Sequence, residues 1–227
     1  MSTKFKASGL KRSLRRRIVE PFDRQLVREL EAEVVGSCSS LLDLGCGRAS
    51  PVGAFSRKLE HCVGVDLFEP YLQESVAAGI HSDYRCLDVM QIGQHFEEDA
   101  FDCVVALDLI EHLPKEAGLD LLQAMEKVAR KKVIVFTPNG FVPQRPYDGN
   151  PFQEHLSGWS VDEMRSRGYR VLGIHGWKPL RGELGAARGR PRPLWELIAL
   201  WSQPLVLHRP AQAFHLLCVK DLPLQRP

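Results

Sequence analysis

The run Leu41-Leu42-Asp43-Leu44-Gly45-Cys46-Gly47-Arg48-Ala49 places an acid inside an apolar stretch and two glycines just after it. Glycine lets a chain turn sharply and lets a ligand approach the backbone closely. An acid two residues ahead of the first glycine suits a ligand with a positive amino group and is awkward beside a pyrophosphate. Nineteen residues after Gly47, Gly64-Val65-Asp66 ends a second apolar run. An acid at the end of the second strand of a nucleotide-binding unit can accept both ribose hydroxyls. Cys86-Leu87-Asp88-Val89 offers a third acid, able to accept from an adenine amino group. Together these residues describe a pocket for an adenosine-bearing ligand. The nicotinamide dinucleotide fingerprint G-x-G-x-x-G is incomplete, because Ser50 stands at its third glycine.

Acids and glycines in this pattern need strand ends to hold them. Leu41–Leu44, Cys62–Val65, Tyr84–Leu87, Cys103–Leu107 and Val133–Phe136 are short, mainly apolar and without clean alternation. That is the pattern of strands buried on both faces of a parallel sheet. Leu119, Leu122, Met125 and Val128 recur at three-residue steps and predict an amphipathic helix after the fourth strand. Alternating strand and helix predicts an open α/β sheet with right-handed crossovers. A helix is expected directly after the glycine pair, and a leading helix over Ile18–Val35. Tyr169–Ile174 and Phe214–Val219 are two further candidate strands. Between them lies an insertion, Gly176–Pro210, with an Arg-, Gly- and Pro-rich loop and an apolar segment, Leu194–Leu207, that carries Trp195 and Trp201. It reads as a lid over an acceptor site, a membrane or dimer surface, or a core-packed helix.

Composition sets the frame. Of 227 residues, 44% are hydrophobic and 26% charged, enough for a sizeable core and against a disordered body. No run of about 18 apolar residues predicts a spanning helix. The first 17 residues lack an apolar segment of the secretory kind. The net charge of +2 points to no partner, but its distribution is uneven. Seven basic residues and no acid lie between Met1 and Arg17, and Lys178–Arg192 holds five basic residues and one acid. Such blocks attract phosphate groups or remain solvated. The six cysteines form no C-x-x-C pair and no zinc-like spacing, so they read as reduced and the protein as cytoplasmic, with no metal ligands assigned.

In order and spacing these residues resemble the class I S-adenosylmethionine-dependent methyltransferases. Asp43-Leu44-Gly45-Cys46-Gly47 is similar to the family's first motif, Asp66 to its ribose-binding acid and Asp88 to its adenine-binding acid. Phe101–Ala106 followed by Asp108-Leu109-Ile110-Glu111-His112-Leu113 resembles the fourth strand and a D/E-x-x-E-H segment. Val133–Phe136 with Thr137-Pro138-Asn139 resembles the fifth strand and its exit, and His155, Trp159–Met164 and Gly168-Tyr169 the approach to the sixth. The likeness covers Ser39–Ile174 and the terminal strand. It implies a Rossmann-like, open, mostly parallel seven-stranded sheet, with helices on both faces and an antiparallel last strand. Residues 1–38 would be a basic extension and leading helix, and 39–227 the methyltransferase domain with its insertion at about 176–210.

The resemblance implies S-adenosylmethionine as cofactor, bound by Asp43, Gly45, Cys46, Gly47, Asp66, Leu67, Asp88, Val89 and Asp108. It also implies in-line attack of an acceptor on the sulfonium methyl. His112 and His155 are the candidate catalytic residues, since histidine's ordinary pKa of about 6.5 suits a base. The expected acceptor is a small molecule or a glycan- or lipid-linked group. An RNA methyltransferase or membrane-surface reading would use Lys4–Arg17 and Lys178–Arg192, and a non-catalytic cofactor-binding scaffold is the remaining alternative. The family's Asn-Pro-Pro-aromatic motif is absent, with Ala106-Leu107-Asp108-Leu109 in its place, which speaks against amide or exocyclic-amine methylation.

Overall fold

A computed structural model of the chain describes residues 24–181 and 192–223. The basic tail Lys4–Arg17 and residues 182–191 of the second basic stretch lie outside them. Seven strands form one sheet in the order β3-β2-β1-β4-β5-β7-β6. They are β1 (Ser40–Leu44), β2 (His61–Asp66), β3 (Asp83–Cys86), β4 (Phe101–Leu107), β5 (Ala129–Pro138), β6 (Arg170–Trp177) and β7 (Ala213–Asp221). β1 to β5 run parallel, and β7 is antiparallel to both β5 and β6.

The absence of alternation in the strands has a simple cause. In β4, Phe101, Val104 and Ala106 join the core on one face while Cys103, Val105 and Leu107 join the core on the other. β5 divides likewise, Val133 and Val135 on one side, Ile134 and Phe136 on the other. Successive side chains still point to opposite faces, but both faces are covered. One face is covered by α4 (Lys115–Val128), which buries Leu121, Leu122, Met125 and Val128. Fully buried Trp159 sits in the same core. The other face carries the leading helix α1 (24–34) through Leu26, Leu30 and Val34.

After the glycine pair the structure departs from expectation. Two short 3-10 turns, Pro51–Ala54 and Ser56–Lys58, replace the expected helix. Pro51 lacks an amide hydrogen and Gly53 lacks helix propensity, and Ser50 caps the first turn by accepting from the Val52 N–H at 3.2 Å. The first full helix on this side is α2 (Glu69–Ala78), which follows β2 and ends at Gly79 in the left-handed conformation. Short α3 (Ile92–His95) and α5 (Val161–Ser166) precede β4 and β6. Between β6 and β7 lie α6 (Arg192–Trp201) and α7 (Gln203–Val206).

Candidate active site

The carboxyl ends of the parallel strands open into a cleft of about 490 Å³. Open α/β sheets bind their ligands at this edge, where the strand order reverses between β1 and β4. All nine expected cofactor residues, Asp43, Gly45, Cys46, Gly47, Asp66, Leu67, Asp88, Val89 and Asp108, line it, as do His112 and His155.

The β1 turn is shaped by its glycines. Gly45 has φ +65° and a side chain there would meet Leu109 Cδ1 at 2.7 Å. Gly47 has φ +55° with nothing within 4 Å of where a Cβ would stand, so the backbone is open to a ligand. Asp66 binds this turn to its own strand. One carboxylate oxygen accepts the Gly47 N–H at 2.7 Å and the other the Phe68 N–H at 2.8 Å. Burial pushes the Asp66 pKa up, against the pull of those two amides. Each oxygen keeps a second lone pair, which leaves room for two ribose hydroxyls. Asp88 caps the turn after β3 by accepting the Met90 N–H at 2.9 Å.

Asp43 is 1% exposed, on the same strand face as Leu41. One of its oxygens pairs with His81 Nε2 at 2.9 Å, while Oδ1 has no hydrogen-bond partner in the protein. A buried carboxylate oxygen with an empty lone pair is costly unless a donor reaches it. The methionine ammonium of S-adenosylmethionine has the charge and the protons to do so, and with open Gly47 and doubly held Asp66 the site fits that cofactor. Sequence reasoning missed His81, which lies between α2 and β3 in no recognisable motif.

The opposite side of the cleft is built from the exits of β4 and β5 and from β7. Asp108 directly follows β4 with φ +50°, a conformation Asp tolerates better than most residues. Its carboxylate lies 3.7 Å from His215 Nε2. His215 stacks on Phe136, with ring centroids 4.8 Å apart, and its Nδ1 meets His175 Nδ1 at 3.0 Å. Glu111, one short turn later, is 2% exposed. Its pKa is pushed well up by burial and by Asp108 beside it. Thr137 Oγ1 donates to Glu111 Oε2 at 2.9 Å, and Glu111 Oε1 has no hydrogen-bond partner.

His112 and His155 meet although 42 residues separate them, with ring centroids 4.8 Å apart. The join is made by backbone: Leu156 and Ser157 N–H both donate to the Glu111 carbonyl, at 2.8 and 3.0 Å. His112 Nδ1 bonds the Glu154 carbonyl at 3.0 Å and His155 Nδ1 the Val142 carbonyl at 2.6 Å. A carbonyl only accepts, so both Nδ1 atoms carry the proton and the neutral rings keep their Nε2 lone pairs. Burial lowers the pKa of both, that of His112 to about 4 against the pull of the Glu154 carbonyl.

The cover of this site differs from expectation. Among the described residues, none of the insertion between β6 and β7 lines the cleft. The loop after β5 does so instead, through Val142, Gln144, Tyr147, Asn150, Phe152 and Gln153. Its tip is fixed across the cleft by Asp148, which pairs with Arg48 at 2.7 Å and accepts from the Tyr71 hydroxyl at 3.3 Å. Arg48 lies over the Tyr71 ring, 4.7 Å from its centroid. The apolar insertion is used elsewhere: Gly173 and Gly176 are glycines because α6, α7 and the residues after them pack directly on β6, with Val206 O and Ala199 O within 2.3 Å of an added Cβ.

Among the described residues, no helix is long and apolar enough to cross a membrane. Residues 42–137 match the family described as a methyltransferase domain. Over 100 residues, 42% of the chain, the protein is 28% identical to the ubiquinone biosynthesis O-methyltransferase of Hahella chejuensis, and the match spans 41% of that relative's length. The solved structure of a SAM-dependent methyltransferase from Archaeoglobus fulgidus covers 90% of this chain and 97% of its own at a TM-score of 0.57 and 15% identity. The magnesium protoporphyrin IX methyltransferase of Synechocystis PCC 6803, solved with bound SAM, covers 88% of this chain and 78% of its own at a TM-score of 0.50 and 16% identity. With the acid–glycine turn at the reversal point of the sheet, these findings show a methyltransferase domain over residues 42–137 and, for the chain as a whole, the fold of solved S-adenosylmethionine-dependent methyltransferases.

Proposed function

We propose that the protein transfers the methyl group of S-adenosylmethionine to a hydroxyl oxygen of a small-molecule acceptor. The cofactor supplies the activated methyl group when bound. Asp66 holds the ribose, Asp88 the adenine amino group, and the unpartnered Asp43 Oδ1 the methionine ammonium, while Gly45, Cys46 and Gly47 let it lie against the backbone. Leu67 and Val89 flank the nucleoside end, and Asp108 stands at the methyl end. The acceptor then lies against His112 and His155, aligned for in-line attack. Alignment of this kind lowers such barriers by up to about 7–11 kcal/mol.

The observation that carries the choice of oxygen is the pair of Nδ1-protonated imidazoles. Each has only an acceptor left for the substrate, and a hydroxyl is the group that donates a proton to it. The relative from Hahella chejuensis is named as an O-methyltransferase, which agrees with this reading. The cleft lining supports a small acceptor over RNA: it holds Asp43, Asp66, Asp88 and Asp108 against Arg48, and Arg48 is paired with Asp148. Such a lining repels a phosphate backbone. The test is transfer of labelled methyl from S-adenosylmethionine to panels of phenols, aliphatic alcohols, amines and total RNA. Label on a hydroxyl compound is expected. Label confined to RNA or to amines overturns the proposal.

A further inference from the structure

Glu111, His112 and His155 bring one ligand atom each to within 4.8 Å of one another. Each of the three is oriented by one bond on its far side. Thr137 Oγ1 holds Glu111 through Oε2, the Glu154 carbonyl holds His112 through Nδ1, and the Val142 carbonyl holds His155 through Nδ1. What remains on each side chain is an atom able to ligate a cation: Glu111 Oε1 and two imidazole Nε2 atoms. The carboxylate is buried and Oε1 has no partner in the protein. Burial and Asp108 make a lone charge on Glu111 costly, and a cation held between the carboxylate and the two imidazoles offsets that cost; outer bonds that fix the tautomer and aim of each group are what metal ligands have.

We infer that Glu111, His112 and His155 hold a divalent transition-metal ion at the acceptor side of the cleft, where it binds and activates the acceptor hydroxyl. Two imidazoles with one carboxylate suit zinc, cobalt, manganese or iron(II), whereas magnesium and calcium favour all-oxygen sets. Ligands about 2.1 Å from one ion lie roughly 3–3.5 Å apart, so separations of up to 4.8 Å would close by up to about 1.3–1.8 Å on binding. Three protein ligands leave coordination positions open to the cleft, as catalytic sites require. The purpose assigned to the ion rests on the hydroxyl-acceptor reading above, but the binding itself does not. With the ion present the acceptor O–H bond breaks and its proton passes to water in the cleft, since coordination makes an O–H far more acidic. The oxygen lone pair forms the new O–CH3 bond as the S–CH3 bond breaks, and that bond's electron pair stays on sulfur, leaving a thioether. His112 and His155 then act as ligands and not as the base that their types alone suggest.

The full chain, freed of metal with a chelator, is titrated with Zn2+, Co2+ or Mg2+ by calorimetry, and the Co2+ protein is read by its visible absorption. One equivalent of Zn2+ or Co2+ is expected, with Mg2+ weaker. His112→Ala, His155→Ala and Glu111→Gln should each weaken binding at least about 100-fold and abolish the Co2+ band, and Thr137→Val should weaken it by about 10–100-fold. His208→Ala, an exposed histidine elsewhere, should bind as wild type does. Circular dichroism and cofactor affinity, unchanged in the variants, show that they fold. No binding, or equal binding by wild type and the folded His112 and His155 variants, overturns the site. Methyl transfer that survives complete chelation overturns the ion's role in activation. Ion binding without transfer to any hydroxyl compound supports the site and counts against the acceptor reading alone.

Discussion

The two sides of the cleft are made in opposite ways. The side formed by the turns after β1, β2 and β3 is local: each turn supplies one acid or glycine pair at a strand end, and backbone amides hold Asp66 in place. The side formed by the exits of β4 and β5 and by β7 is assembled from distance, with Glu111, His112, Thr137, His155 and His215 brought together by the sheet and by a loop folded back on it. The first arrangement reads a fixed ligand. The second is free to vary with the acceptor, because loops can change while the strands beneath them stay.

Disabling the second side should give the largest effect and leave the first side untouched. The double variant His112→Ala/His155→Ala should lower kcat by about 10²–10⁴, the range lost when the activation of the acceptor hydroxyl is removed, while the cofactor Kd stays within about twofold. Steady-state kinetics with equilibrium binding of the demethylated cofactor checks both halves. A parallel loss of cofactor affinity would merge the two sides into one.

The converse variant is Asp66→Ala. It removes the ribose acceptors and also strands the Gly47 and Phe68 amides, so cofactor Kd should rise about 10- to 100-fold, or about 1.4–2.7 kcal/mol. Circular dichroism and calorimetry separate that loss from unfolding.

A smaller effect concerns stability on the second side. Burial, with Arg181 nearby, lowers the His175 pKa to about 3, so the ring is neutral in the fold. The unfolded chain takes up that proton first, near pH 6.5, and stability is therefore lost as pH falls from about 6.5 towards 3. One such group costs up to about 1.4 kcal/mol per pH unit, or about 3–5 °C in Tm for a chain of this size. His175→Asn, which tolerates the φ of +66° at this position, should flatten part of that slope in a series of melts from pH 7.5 to 5.

The smallest effect should come from the bridge between the two sides. The Arg48–Asp148 pair is nearly half exposed, and exposed pairs contribute about 0–1 kcal/mol. Asp148→Ala should raise KM by no more than about fivefold with kcat nearly unchanged.

The same contrast explains what could be read from the sequence. Asp43, Gly45, Gly47, Asp66 and Asp88 were legible because each sits at a strand end, and short apolar runs reveal strand ends. The parallel strands were legible for the same reason, whereas the antiparallel direction of β7 came only from the family resemblance. His112 and His155 could be named separately, but not their meeting, since it depends on the Leu156 and Ser157 amides reaching the Glu111 carbonyl. His81 and His215 gave no signal at all: one lies after a helix, the other inside an apolar strand, and only packing gives either a partner. The insertion could not be assigned among lid, membrane or dimer surface and core-packed helix, because apolar content reports burial without saying against what.

Gly64 carries one more consequence. Its position in the middle of β2 looks like an ordinary small residue, yet a Cβ there would stand 2.7 Å from His81 Nδ1. Any side chain at 64 would push His81 off Asp43 and leave a fully buried carboxylate with neither oxygen paired. Three positions scattered over 39 residues are therefore locked into one inheritance unit. A lineage could drift at 43, 64 or 81 only by changing all three in concert, and an engineer grafting this strand onto another scaffold would have to carry the histidine with it.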